Sequence, residues 1–215
     1  MSNYTVPHWE RSILITIDTQ NDFTLPGAPA EIKGTAEIVP NMKKLLDAYR
    51  SHHLPILHVI RFYKEDGSNA DICRRESIEQ GAKIAVPGST GAELVDHIRP
   101  VGAPPLDENA LFNGEFQQIG DSEWVMYKSR WGAFYQTRLG QFLRDKGIDT
   151  LVFCGCNFPN CPRTSMYEAS ERDFRVVLVA DAMSQVYEKG LQEMDNIGVY
   201  VCHTDDLVKV LESNS

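Results

Sequence analysis

Six short apolar runs, each too short for a membrane span or a long buried helix, recur along the chain at about residues 13–17, 54–60, 123–128, 150–154, 175–180 and 199–202. The first, Ile13-Leu14-Ile15-Thr16-Ile17, is typical: β-branched, uninterrupted by charge and closed by a polar residue. Such runs read as strands buried on both faces. Between them the spacing turns helical. Ile38, Met42, Leu45, Leu46 and Tyr49 mark one face of a helix over 35–52, and further helices are expected over 133–146, 162–173, 185–197 and 205–212. Strands alternating with helices imply an α/β protein, a three-layer α/β/α arrangement around a six-stranded, mainly parallel sheet.

The 215 residues suit one unit spanning 1–215, and 42% hydrophobic content is enough for a core. The stretch from Arg61 to Asp121 is broken by Pro87-Gly88 and Pro104-Pro105. Only a charged short helix over 71–80 and another near 93–98 are expected there. After Asp18, the Pro and Gly of Leu25-Pro26-Gly27-Ala28-Pro29 imply a long loop over the strand end, from which Phe23 reaches the crevice.

A net charge of −9 argues against a nucleic-acid surface and for a small-molecule partner. Met1 to Arg11 lacks the charged and apolar regions of a leader, and no apolar run approaches the about 18 residues of a membrane span. A cytoplasmic protein is therefore expected. The five cysteines, an odd number, are expected to be reduced thiols.

Three ionisable groups from distant stretches follow strands: Asp18 after the first, Lys128 after Trp124–Tyr127, and Cys161 in the turn that begins at Gly155. Ligands of parallel sheets bind beyond the carboxyl ends of the strands, so these groups form a candidate reaction centre. Pro162 suits the first position of a helix, which puts Cys161 at its N-cap. The helix dipole is expected to lower the thiol pKa there. Asp18 is the candidate base, Lys128 its partner, and the backbone N–H groups of Cys156, Asn157 and Cys161 are candidate donors to an oxyanion. Taken singly, each residue also has an ordinary explanation: a capping aspartate, a surface lysine, a packed cysteine.

The order Asp18-Thr19-Gln20-Asn21-Asp22-Phe23, then Lys128-Ser129-Arg130-Trp131-Gly132-Ala133-Phe134, then Gly155 with Cys161 six residues on, resembles the isochorismatase-like cysteine hydrolase superfamily. The resemblance runs from about Ile13 to Thr204. It implies an Asp18-Lys128-Cys161 triad, a six-stranded parallel sheet, a cis peptide at Cys156–Asn157 and a homo-oligomer, dimer or tetramer. Nicotinamidase members carry a metal site of one Asp and two His after the second strand. Here that segment, His58 to Asp66, has one His beside Arg61, so neither metal nor cofactor is expected.

The turn from Cys156 to Thr164 is similar to that of biuret amidohydrolase-like members, which implies cleavage of a C–N bond in a small linear amide or ureide. Arg61 and Asn157 would then bind substrate oxygens, with Phe23, Trp131 and Phe158 as walls. The alternatives are a nicotinamidase-type or isochorismatase-type hydrolase and, from another class, a thiol redox or small-ligand-binding module. The cluster Cys154, Cys156, Cys161 suggests the redox reading, but adjacent i, i+2 cysteines on a strand rarely meet disulfide geometry. For nucleotide binding the chain lacks G-x-G-x-x-G.

Overall fold

In chain order the strands are β1 (Ser12–Ile17), β2 (Ile56–Ile60), β3 (Gln117–Gly120), β4 (Glu123–Tyr127), β5 (Thr150–Gly155), β6 (Arg175–Met183) and β7 (Tyr200–Cys202). The helices are α1 (Asn21–Thr24), α2 (Thr35–Ser51), α3 (Ile72–Glu79), α4 (Glu108–Phe112), α5 (Leu139–Asp145), α6 (Cys161–Ser170), α7 (Glu188–Asn196) and α8 (Thr204–Ser213). The structure, a computed structural model, describes residues 3–213; Met1, Ser2, Asn214 and Ser215, the ends of the expected unit, lie outside the described residues.

β1 shows why the layers form. Every residue in it is buried, and successive side chains point to opposite faces. Ile13, Ile15 and Ile17 pack on one face with Leu139 and Leu143 of α5 and Met166 and Ala169 of α6. Leu14 packs on the other with Met42, Leu45, Leu46 and Tyr49 of α2 and with Leu207 and Leu211 of α8. Each fully buried Leu or Ile contributes roughly 1.5–3 kcal/mol, so the periodicity of the two element types sets the architecture.

The sheet order is β3-β4-β2-β1-β5-β6-β7. β4, β2, β1, β5, β6 and β7 pair in parallel, and β3 is antiparallel to β4. The six expected strands are therefore seven. Gln117-Gln118-Ile119-Gly120 has one buried residue and no apolar run, so it carries no strand signature; it forms by covering the open edge of β4. From β1 the chain runs outward to β2, β3 and β4, then crosses back to β5 on the other side of β1, which makes the carboxyl end of β1 the switch point of the sheet.

Three local expectations are corrected. The helix near 93–98 does not form; a 3-10 turn at Thr90–Ala92 precedes a bridge from Leu94 to Gln20 and a turn over 96–98. The helix expected over 133–146 begins at Leu139; the residues before it form turns fastened to α6, the Ala133 and Phe134 N–H groups donating to Ser165 Oγ and Glu168 Oε2. The loop after Asp18 contains α1. The 61–121 segment folds over the carboxyl ends of β2 and β4 with its own apolar cluster, in which Phe62, Tyr63, Ile78 and Leu111 meet Phe23, Ile60 and Val125. No described helix is long and apolar enough to cross a membrane.

Candidate active site

Three backbone bonds fix the residues at the switch point. The Asp18 N–H donates to Val59 O of β2 at 2.9 Å, the Lys128 N–H to Ile60 O at 3.0 Å, and the Cys156 N–H to Ile17 O at 2.9 Å. Each residue beyond a strand end is thus held by the neighbouring strand. Asp18 adopts φ 52°, in the left-handed region that Asp tolerates better than most residues. The chain turns sharply there.

Gly155 makes the close approach possible. At φ 113° it lies against β1, where an added Cβ would stand 2.4 Å from Ile17 O. The following Cys156–Asn157 peptide is cis, as the resemblance implied. The Cys156 thiol donates to Asp18 O at 3.0 Å, and α6 opens at Cys161. Asn160 is the N-cap, so Cys161 is the first residue of the helix rather than its cap, one position from expectation.

Lys128 Nζ donates to Asp18 Oδ2 at 2.8 Å, with the ammonium fully buried. Asp18 Oδ1 is buried with no hydrogen-bond partner among the described residues. Cys161 is 6% exposed and lines a narrow pocket together with Asp18. The lowered thiol pKa expected from the helix terminus is not found. Burial first, then the Asp18 carboxylate, push Cys161 up to about 12, against the opposing pull of Lys128 and Arg61. Removing the thiol from water outweighs one helix end. The resting pair is a protonated sulfur beside a carboxylate with a free oxygen.

Phe23, Arg61, Trp131, Asn157 and Cys156 also line the pocket, where they were expected. Phe158 does not: it is fully buried, its ring edge-on to Tyr187 and its N–H bonded to Ser184 O. Cys156 is likewise corrected as an oxyanion donor, since its N–H is spent on Ile17 O. Asn157 and Cys161 remain as candidate donors, the latter at the open first turn of α6.

A profile described as the isochorismatase domain matches residues 12–206. The chain belongs to the isochorismatase family. An isochorismatase family protein of Desulfovibrio vulgaris, known as a crystal structure, superposes with TM-score 0.80 at 33% identity over 94% of this chain and 99% of that one. A probable inactive nicotinamidase of Arabidopsis thaliana is 29% identical over 89% of this chain and 91% of that protein. N-carbamoylsarcosine amidase of an Arthrobacter species is 26% identical over 97% and 74%.

Within this isochorismatase-family site, several residues escaped sequence reasoning. Gln20 is buried and clamps Arg61, accepting from its N–H and donating to its C=O, both at 2.7 Å, while also donating to Ala92 O at 2.8 Å. Asp22 Oδ2 accepts from the Ala85 N–H, and Asn21 Nδ2 donates to Thr90 O. The polar run after β1 therefore fastens the 85–92 loop over the site. Tyr63, Arg74, Ile32 and Asn160 complete the pocket wall. They lie in turns and a short helix with no periodic signal. A polar stretch directly after a buried strand was the available clue to Gln20.

Arg61 is 2% exposed and donates to Tyr63 Oη and to Asp71 Oδ2. Burial opposes its charge, but Tyr63, Asp18 and Asp71 around it hold the guanidinium above its usual range. His58 is no free ligand: its ring nitrogens meet Thr16 Oγ1 and Glu123 Oε1, each at 2.7 Å. Among the described residues no group of three or more His, Cys, Asp or Glu is arranged to hold a metal.

Proposed function

We propose that the chain is a cysteine amidohydrolase that cleaves the C–N bond of a small amide or ureide through a thioester on Cys161. One observation carries the reading: the unpartnered Oδ1 of Asp18, whose other oxygen is held by Lys128, beside the protonated Cys161 thiol.

Asp18 takes the thiol proton as sulfur attacks the carbonyl, so the S–C bond forms and the carbonyl electron pair moves to oxygen. The N–H groups of Asn157 and Cys161 hold the oxyanion. Collapse breaks the C–N bond, and Asp18 gives its proton to the departing nitrogen as ammonia or an amine. Asp18 then deprotonates a water that attacks the thioester; the S–C bond breaks and sulfur regains its proton. Lys128 keeps the carboxylate in place and balances its charge throughout.

The turn from Cys156 to Thr164 supports a linear, biuret-like ureide, and the Arthrobacter relative, named for a carbamoylated amino acid, supports the same bond type. A planar aromatic amide is the second reading, supported by the Arabidopsis relative's name and by the Phe23, Tyr63 and Trp131 rings. An ammonia-release screen over biuret, ureidoacrylate, N-carbamoyl amino acids, nicotinamide and simple amides separates them. Turnover that survives alkylation of Cys161 would contradict the thiol mechanism for any of these substrates.

A further inference from the structure

The protein is acidic overall, yet its pocket is not. Lys128 is paired with Asp18, and Arg61 with Asp71. Arg74, on α3, lines the pocket with Arg61 and has no carboxylate partner among the described residues; its guanidinium carbon lies 5.8 Å from the Phe23 ring centroid and 5.9 Å from that of Tyr63. Three cations against two carboxylates leave one positive charge without a counterion.

A second observation points the same way. Arg61 Nη1 is buried with no hydrogen-bond partner, although the other donor nitrogens of that side chain are engaged by Tyr63 and Asp71. A buried guanidinium N–H without an acceptor costs stability unless a ligand supplies one. Arg61 and Arg74 both lie against the Tyr63 ring, at 5.1 and 5.9 Å. Two guanidinium groups, one lacking a charge partner and one lacking an acceptor, suit a planar anion.

We propose that the substrate carries a carboxylate, bound by Arg74 and the free Nη1 of Arg61, while its amide carbonyl lies at Cys161. The substrate class is then a short carboxylated amide, such as an N-carbamoyl amino acid or the half-amide of a dicarboxylic acid. This class rests on the amidohydrolase reading above; the anion subsite itself is tested without turnover.

Iodoacetate and iodoacetamide differ in a carboxylate for an amide and react alike: the thiol proton leaves, the S–C bond forms and iodide departs. Peptide-resolved mass spectrometry gives the ratio of their rates at Cys161, to be compared with the ratio on free N-acetylcysteine under the same conditions. The expected preference for iodoacetate over that reference is about tenfold, the weight of one charge-assisted contact. Arg74→Gln should abolish it. Arg75→Gln, which removes the same charge from an exposed position of α3, should keep it. A wild-type ratio no higher than that of the free thiol, or a preference untouched by Arg74→Gln, would overturn the proposal. A preserved preference without turnover of any amide would uphold the anion subsite and remove the amidohydrolase reading instead.

Discussion

Lys128 Nζ and Asp18 Oδ2 stand 2.8 Å apart, joining residues 110 positions distant into one buried ion pair at the switch point of the sheet. The pair sets an ammonium against a carboxylate that is almost without solvent, at the pocket lined by the Cys161 thiol. Replacing Lys128 with Ala strands that charge. Unfolding free energy should fall by about 3–5 kcal/mol, and kcat/KM by about a hundredfold or more. Denaturant titration and steady-state kinetics read the two effects, and a variant unchanged in both would show the pair to be incidental.

The thiol at about 12 has a consequence for pH. Only the thiolate is alkylated, so below that value the rate at Cys161 in the free protein should rise about tenfold per pH unit. Asp18 contributes to the rise in pKa, so Asp18→Asn should lower it and speed alkylation at neutral pH while abolishing turnover. A plateau in the wild-type rate below pH 9 would contradict this.

Gly155→Ala tests the turn. At φ 113° an L side chain is strained by about 1–3 kcal/mol, and its Cβ would collide with Ile17 O. The variant should unfold at lower denaturant and lose turnover through displacement of the Cys156 to Cys161 segment. Wild-type stability with full activity would mean that the approach of β5 to β1 is dispensable.

The parallel core was legible because β1, β2 and β5 are short, mostly apolar and wholly buried, with only Ser12, Thr16, His58 and Thr150 as polar members, a pattern that suits strands covered on both faces. The meeting of Asp18, Lys128 and Cys161 was legible because each follows such a run. Gln117 to Gly120 was not, since an edge strand is held by its neighbour's open hydrogen bonds rather than by its own side chains. Phe158 was misplaced because an aromatic in a turn beside a nucleophile looks the same in sequence whether it faces ligand or core. Tyr63 and Arg74 were missed for a related reason: their positions depend on how an aperiodic segment folds back, through contacts such as Asp22 with Ala85. The direction of the Cys161 pKa depended on burial, which a helix-terminus argument omits.

Glu123 provides a test far from the pocket. Burial would raise its pKa, but the bonds from His58 and Arg50 bring it to about 2, below the ordinary 4.5. The ionised form therefore stabilises the fold, fully above pH 4.5 and progressively less as pH falls through about 2. Glu123→Gln should cost about 1.5–3 kcal/mol at neutral pH, with the gap to wild type closing between pH 4.5 and 2. A gap independent of pH would contradict the assignment.

Covalent catalysis at Cys161 is the claim on which the functional account turns, and intact-protein mass spectrometry of acid-quenched turnover tests it most directly. With a slowly hydrolysed amide the wild-type protein should gain the mass of one acyl group, mapped to Cys161, and Cys161→Ala should show neither adduct nor turnover. A Cys161→Ala protein that hydrolyses the same amide at the wild-type rate would contradict the account.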